Sequence, residues 1–82
     1  MRAAIYNGPN NPITIEQIAE PVPLAGELLL ELARCGICGS DLSMTSGSHF
    51  DYPVGQCFGH EFSGTVIDLG KDTTGWRVGD KV

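Results

Sequence analysis

Two short segments with flanking glycines contain the side chains that most constrain the structure and chemistry of this chain. Residues 35–41 read Cys-Gly-Ile-Cys-Gly-Ser-Asp, and residues 59–61 read Gly-His-Glu. They offer a thiol at Cys38, an imidazole at His60 and a carboxylate at Glu61. Thiolate and imidazole nitrogen are the donors that Zn²⁺ prefers, so the two segments predict a zinc site. The neighbouring glycines are expected to let the backbone turn tightly beside each ligand.

The composition is that of one small globular unit, and it excludes two classes of partner. The chain has 82 residues, and no apolar run approaches the ~20 residues of a membrane span. Its formal charge is -5 with only five Lys and Arg, whereas nucleic acid or an anionic membrane surface requires clustered basic residues. The start lacks the basic and then apolar pattern of a signal peptide, so a cytoplasmic protein is expected.

The cysteines leave two metal arrangements open. Three cysteines without regular pairing do not make a disulfide framework, and reduced thiols for metal or redox chemistry fit better. One arrangement is an open site that uses Cys38 and His60. The alternative is a closed zinc ribbon with four ligands, Cys35, Cys38, Cys57 and His60. One Cys-x-x-Cys pair and one Cys-x-x-His pair would then bind the same ion. A closed site would be structural, and the chain would then be a binding module.

Hydrophobic alternation and turn residues predict an all-β chain with one short helix. Strands are expected over residues 2–6, 13–16, 27–34 and 61–69, separated by segments rich in Gly, Pro, Asn and Asp. The leucines at 27–34 fit a helix and a strand about equally; the bracketing turn residues and the family resemblance described below favour a strand. Ser40 or Asp41 is expected to cap a short helix that ends near Thr45.

The alternation also predicts core positions. The strand at 13–16 is expected to be half-buried. Phe62, Val66 and Leu69 in the strand at 61–69 are candidates for the core, and Trp76 and Val78 are expected to pack beneath the turn that follows. Residues 78–82 are predicted to open a further strand.

Three motifs, in this order, resemble the zinc-dependent medium-chain alcohol dehydrogenases. They are Cys-Gly-Ile-Cys-Gly-Ser-Asp-Leu at 35–42, Gly-His-Glu-Phe-Ser-Gly-Thr-Val at 59–66 and Val-Gly-Asp-Lys-Val at 78–82. The resemblance covers essentially all of residues 1–82 and implies the N-terminal part of a GroES-like catalytic domain, a partial barrel. The nucleotide-binding domain is expected to be absent from the chain, because no Gly-x-Gly-x-x-Gly fingerprint occurs.

The resemblance implies a catalytic zinc ion held by Cys38 and His60. The family takes its third protein ligand from a segment further along its chain. Glu61 is expected near the metal as an exchanging or indirect ligand, which makes it a candidate for catalysis as well. Asp41 is the candidate for orienting the His60 ring, because a ligating imidazole usually donates its second N–H to a carboxylate.

The resemblance also implies roles in proton transfer and cofactor binding. Ser40 would pass the alcohol proton towards solvent, and Gly39 and Ser40 lie where the family contacts its cofactor, NAD or NADP. Two departures put part of this in doubt. Gly39 replaces a basic residue that many members place on the cofactor's pyrophosphate, and Ser43 replaces a histidine of the proton relay. His49 in the following loop is a candidate substitute, although a surface histidine without a role is the plainer interpretation.

The implied activity belongs to the full-length parent, an expected homo-oligomer. It would oxidise a small-molecule alcohol, or reduce a carbonyl, with NAD(P), and zinc would lower the pKa of the bound alcohol as a Lewis acid. The 82-residue chain alone is expected to be inactive and to expose an open sheet edge.

Overall fold

A computed structural model describes residues 1–47 and 52–82. Its elements are the strands β1 (Arg2–Ile5), β2 (Thr14–Gln17), β3 (Leu28–Gly36) and β4 (Glu61–Leu69) and the helix α1 (Gly39–Ser46). β1 pairs with β2, and β3 pairs with β4, in two separate two-stranded sheets. The predicted fold class, strands with one short helix, is confirmed, and the ambiguous leucine run forms a strand. Within the described ranges, no helix is long and apolar enough to cross a membrane.

The chain folds as two compact units, one of Met1–Ala19 with Gly36–Glu61 and one of Glu20–Cys35 with Phe62–Val82. In the first unit β1 and β2 are antiparallel, and Arg2 lies opposite Gln17. All four residues of β2 are exposed, and Ile15 keeps 64% of its surface accessible. The expected half-burial is therefore wrong for β2, although Ile13, just before it, is half-buried. β2 is held by its backbone pairing, and Ile15, its single apolar residue, stays largely exposed.

The other edge of β1 is occupied by residues 55–58. The N–H of Phe58 donates to the carbonyl of Ala4 over 2.9 Å, and Ile5 forms an antiparallel bridge with Cys57. The N–H of Tyr6 donates to the carbonyl of Gln56 over 3.0 Å. This ladder fixes the backbone that leads directly into residues 59–61, so the second ligand segment begins from an ordered position.

The core of the first unit is small and largely aromatic. Ile5, Tyr6 and Met44 are the buried apolar residues in the part of this unit that the structure describes, and Tyr6 is only 1% exposed. The Tyr6 ring stacks on Phe58 at a centroid distance of 5.6 Å and meets Tyr52 edge-on at 5.3 Å. Aromatic pairs at these distances add about 0.5–1.5 kcal/mol beyond the apolar area that they bury. The helix therefore packs, through Met44, against the same small core that supports residues 55–58.

The second unit is built on β3 and β4, with Val66 fully buried at 0% exposure. This confirms the prediction for Val66, and Leu69 is half-buried. The predictions for Phe62, Trp76 and Val78 are wrong, since they are 49%, 45% and 64% exposed. Phe62 lies on the same face of β4 as Val66, but the first three residues of the strand are exposed. Trp76 and Val78 lie in the irregular segment after β4, outside the strand pairing that buries Val66.

The last residues of the second unit run beside β4. Gly64 and Val82 exchange two backbone hydrogen bonds of 2.9 and 3.0 Å, and Thr65 forms an antiparallel bridge with Lys81. The Nζ atom of Lys81 also donates to the hydroxyl of Thr65 over 2.9 Å. Residues 80–82 thus extend the β3–β4 sheet, as expected of a segment that opens a strand.

Candidate metal centre

The N-terminus of α1 holds the first ligand segment in place. Cys38 is the N-cap, with an extended backbone at φ -97° and ψ 156°. Its N–H donates to Oδ2 of Asp41 over 2.9 Å, while the N–H of Asp41 donates back to the carbonyl of Cys38 over 3.0 Å. The prediction that Ser40 or Asp41 is the cap is corrected here: the cap lies at Cys38, and Asp41 is the third helical residue. The reciprocal bonds therefore fix the thiol at the first turn of the helix.

The sequence contains a signal for a helix cap at Cys38. A capping box has a small polar residue at the N-cap and an acid or amide three positions later. Residues 38–41 fit that spacing, with a thiol in place of the usual hydroxyl and with Asp41 in the acidic position. Reading cysteine as the capping residue would have placed the helix start correctly.

Gly59 turns the chain into the second ligand segment. Its φ of 115° lies in the region that only glycine adopts easily. Gly36 and Gly39 have no positive φ, so the expected tight turn applies to Gly59 alone of the three. A Cβ on Gly39 would meet no atom within 4 Å, so a side chain is sterically tolerated beside Cys38.

Cys38, His60 and Glu61 converge. A ligand atom from each of the three lies within 4.8 Å of the others. Cys38 is half-buried, whereas His60 and Glu61 are exposed, so the group is accessible from solvent. One sulfur, one imidazole nitrogen and one carboxylate oxygen match the donor types found in catalytic zinc sites.

Asp41 lies behind the His60 ring. Its Oδ1 is 3.2 Å from Nδ1 of His60, and the Asp41 side chain is only 6% exposed against 47% for the histidine. This oxygen is buried and has no hydrogen-bond donor among the described residues other than that ring nitrogen. Since a buried carboxylate oxygen without a donor is costly, we assign the ring proton to Nδ1. The lone pair of Nε2 then faces the other ligands.

Ser40 lies between the two soft ligands. Its hydroxyl is 3.3 Å from Sγ of Cys38 and also 3.3 Å from Nε2 of His60. The nearer carboxylate oxygen of Glu61 is 3.8 Å from the same Nε2. Sγ of Cys38, Nε2 of His60 and a carboxylate oxygen of Glu61 each have a lone pair to offer, and they lie close together. This donor set fits a zinc ion.

The remaining predicted residues lie apart from this group. Neither Cys35 nor Cys57 belongs to it, although all three cysteines are thiols. The closed zinc ribbon is therefore not supported. Ser43 accepts the N–H of Gly47 through its carbonyl at the far end of α1. His49, the candidate substitute in the proton relay, lies outside the described residues.

Comparison with known proteins agrees with this geometry. Residues 24–82 match the family described as the alcohol dehydrogenase GroES-like domain, and the chain belongs to that family. Alcohol dehydrogenase 1 of Caenorhabditis elegans is 38% identical over 98% of this chain and 23% of the relative. The (R,R)-butanediol dehydrogenase of Bacillus subtilis is 36% identical over 100% of this chain and 27% of the relative.

A solved structure shows the same fold. An alcohol dehydrogenase superfamily protein from Novosphingobium aromaticivorans superposes with a TM-score of 0.89 at 29% identity, over 99% of this chain and 25% of that protein. The predicted resemblance to medium-chain alcohol dehydrogenases and the GroES-like fold class are thereby confirmed. The chain spans about a quarter of the length of the proteins that it matches.

Proposed function

We propose that residues 1–82 form the N-terminal part of the catalytic domain of a zinc-dependent, NAD(P)-linked alcohol dehydrogenase. The reaction is the oxidation of a small-molecule alcohol or the reverse reduction of a carbonyl. The relatives support the reaction class, since they are named as alcohol and butanediol dehydrogenases. Because the chain matches only 23–27% of their length, nucleotide binding is assigned to a separate domain of the full-length protein.

The observation that carries the proposal is the convergence of Cys38, His60 and Glu61 within 4.8 Å. Cys38 and His60 would hold the metal directly, through Sγ and Nε2. Glu61 would serve as an exchanging ligand, because its carboxylate is exposed and only 3.8 Å from Nε2. Zinc bound here supplies a Lewis acid that polarises the oxygen of the alcohol or carbonyl.

The surrounding residues hold protons at defined atoms. Asp41 keeps the ring proton on Nδ1 of His60, which leaves Nε2 unprotonated for the metal. Ser40 has its hydroxyl 3.3 Å from both ligand atoms, so it lies where a substrate oxygen would meet the metal. Its hydroxyl is proposed to accept the alcohol proton and release it towards solvent during oxidation. Reduction of a carbonyl would use the same path in reverse.

The cofactor is proposed to pass beside the first turn of α1, at Gly39 and Ser40. The open space around Gly39 supports close approach of a ligand to the backbone there. With no basic side chain at this position, the charge of the pyrophosphate has to be balanced by another part of the protein. The three thiols support a reducing compartment, and we assign the protein to the cytoplasm.

The proposal is tested by the zinc content of cysteine and histidine variants of the full-length protein. Cys38→Ser and His60→Ala should each abolish tight zinc retention and NAD(P)-dependent alcohol turnover. Cys57→Ser is the matched control, because its thiol lies outside the ligand group and its backbone position is held by the bridge to Ile5. Equal loss of zinc in Cys57→Ser would contradict the proposal and favour the closed ribbon.

A further inference from the structure

Tyr6 contacts the helix that begins after Cys38 and the residues that lead into Gly59. Its side chain is almost completely buried, and its hydroxyl donates to the carbonyl of Met44 in α1 over 2.8 Å. Its backbone N–H donates to Gln56, and its carbonyl accepts from Gly55 over 2.8 Å. Its ring stacks nearly parallel to Phe58, with an interplanar angle of 13°. One residue thus bonds to the helix and to the strand-like segment that precedes Gly59.

The contact with the helix falls where a helix needs partners. The last carbonyls of an α-helix have no intrahelical donor. In α1 the carbonyl of Ser43 accepts from Gly47 over 3.0 Å, that of Thr45 accepts from the N–H of Asn10 over 2.6 Å, and that of Met44 accepts from Tyr6. The C-terminal end of α1 is therefore fixed to residues 6–10, just as its N-terminal end is fixed to His60 through Asp41.

The contact with the second segment is equally direct. Phe58 is two residues before His60, and its own N–H is bonded to Ala4 of β1. A change in the position of the Tyr6 ring would therefore act on the backbone that carries the imidazole. A change at the Tyr6 hydroxyl would act on the other side, on the helix that begins at Cys38.

We propose that Tyr6 is a positioning residue of the metal centre, setting the distance between Cys38 at the start of α1 and His60 after Phe58. The inference rests on the proposed function, because it takes these two residues as metal ligands. Tyr6 touches neither the ligands nor a substrate. Its effect is mechanical: the buried hydroxyl holds the helix at one position along its axis, and the stacked ring holds the neighbouring segment.

The test uses Co²⁺ in place of Zn²⁺ in the full-length protein, because a cobalt–thiolate site absorbs light and its d–d bands report the coordination geometry. Tyr6→Phe removes the hydroxyl and keeps the ring. We expect its d–d bands to shift and its Co²⁺ affinity to fall by about tenfold, the low end of the loss seen when a residue supporting a metal ligand is removed.

Two control variants separate positioning from loss of stability. Thr73→Val also removes a hydroxyl that donates to a backbone carbonyl, that of Glu27 over 3.4 Å, but both of these residues belong to the second unit. Val66→Ala empties a fully buried position of the second unit. Both should leave the cobalt spectrum and affinity unchanged. If Tyr6→Phe does not fold, Phe58→Leu is the second variant. It keeps the Tyr6 hydroxyl but removes the ring that stacks on Tyr6, and it should also shift the d–d bands.

The outcomes distinguish this inference from the proposed function. If the unmodified protein gives no cobalt–thiolate band, the proposed metal centre is wrong and the role of Tyr6 falls with it. If that band is present but Tyr6→Phe matches the unmodified protein in spectrum and affinity, the positioning role alone is overturned. It is also overturned if Val66→Ala shifts the bands as much as Tyr6→Phe, because general destabilisation would then account for the effect.

Discussion

The carboxylate of Asp41 joins the two ligand segments: Oδ1 lies 3.2 Å from Nδ1 of His60, and Oδ2 accepts the N–H of Cys38 over 2.9 Å. Each oxygen contacts a different one of the two proposed ligands, Cys38 through its backbone and His60 through its imidazole ring. Because the side chain is buried, neither oxygen can exchange its protein partner for bulk water at low cost. The pair of bonds therefore couples the start of α1 to the orientation of the histidine.

We predict that Asp41→Asn in the full-length protein weakens zinc binding by about 10- to 100-fold, the range found for second partners of metal-ligating histidines. An amide can still accept the N–H of Cys38 with its oxygen. Its NH₂ group would then face Nδ1 of His60 and favour the tautomer that protonates Nε2, the atom required by the metal. Competition with a chromophoric chelator measures the zinc affinity.

The matched control for this change is Asp80→Asn in the second unit. Asp80 accepts a backbone N–H from Arg77 over 2.9 Å, as Asp41 does from Cys38, but it has no histidine partner among the described residues. Its substitution should leave zinc affinity unchanged. A comparable loss in both variants would mean that the effect on zinc affinity is general and does not come from the contact between Asp41 and His60.

We predict that Ser40→Ala lowers kcat by about 100-fold, the lower end of what general acid–base groups contribute, with zinc content retained. The hydroxyl is 3.3 Å from both Cys38 Sγ and His60 Nε2, yet neither ligand atom is removed by the change. Ser46→Ala, which removes a hydroxyl bonded to a carbonyl near the other end of α1, is the control and should leave kcat unaltered. Loss of zinc from Ser40→Ala would argue that the hydroxyl is structural.

The sequence was sufficient to predict that Cys38, His60 and Glu61 come together, because they lie within two short motifs. Cys38 is carried by the start of one helix, and His60 and Glu61 are consecutive, so few long-range contacts are needed to specify the set. Ser40 and Asp41 follow from the same helical turn. What the sequence could not show is the support behind them, since Tyr6 and Met44 are 38 residues apart and no periodicity links them.

The core was harder to predict than the strands. Alternation identifies which side chains share a face, but whether that face is covered depends on contacts distant in sequence. Val66 and Phe62 share a face of β4, and only Val66 is buried. Ile15 shows the same limit, because β2 has the right alternation and remains exposed along its whole length.

We predict opposite effects of alanine at the two ends of α1. Gly39 begins the helix without a positive φ and has open space around it, so Gly39→Ala should stabilise the protein by about 0.4–1 kcal/mol through the unfolded state. Gly47 has φ 79°, and a Cβ there would lie 2.9 Å from Cβ of Pro9. Gly47→Ala should therefore cost more than about 1 kcal/mol. The midpoint of urea unfolding, at an unchanged m-value, measures both changes in stability. Midpoint shifts of the same sign in the two variants would contradict the assignment of the helix ends.

The final prediction concerns the contact between the two strands of the second unit. Gly64 lies in β4, and a Cβ there would come within 2.5 Å of the carbonyl oxygen of Glu31 in β3. The clash is with backbone, which cannot rotate away as a side chain would. Gly64→Ala should therefore force the strands apart and cost about 1–3 kcal/mol, the usual range for overpacking.

The same change should be visible locally. Gly64 exchanges two hydrogen bonds with Val82, and Val66 donates to Asp80 over 2.9 Å, so displacement of β4 would weaken both pairs. Hydrogen exchange followed by mass spectrometry should show faster exchange in peptides that contain these amides. Ser63→Ala, at an exposed position of the same strand, should leave exchange unchanged and stability within about 0.5 kcal/mol. If Gly64→Ala exchanged no faster than Ser63→Ala, the close approach of β3 and β4 at this position would be wrong.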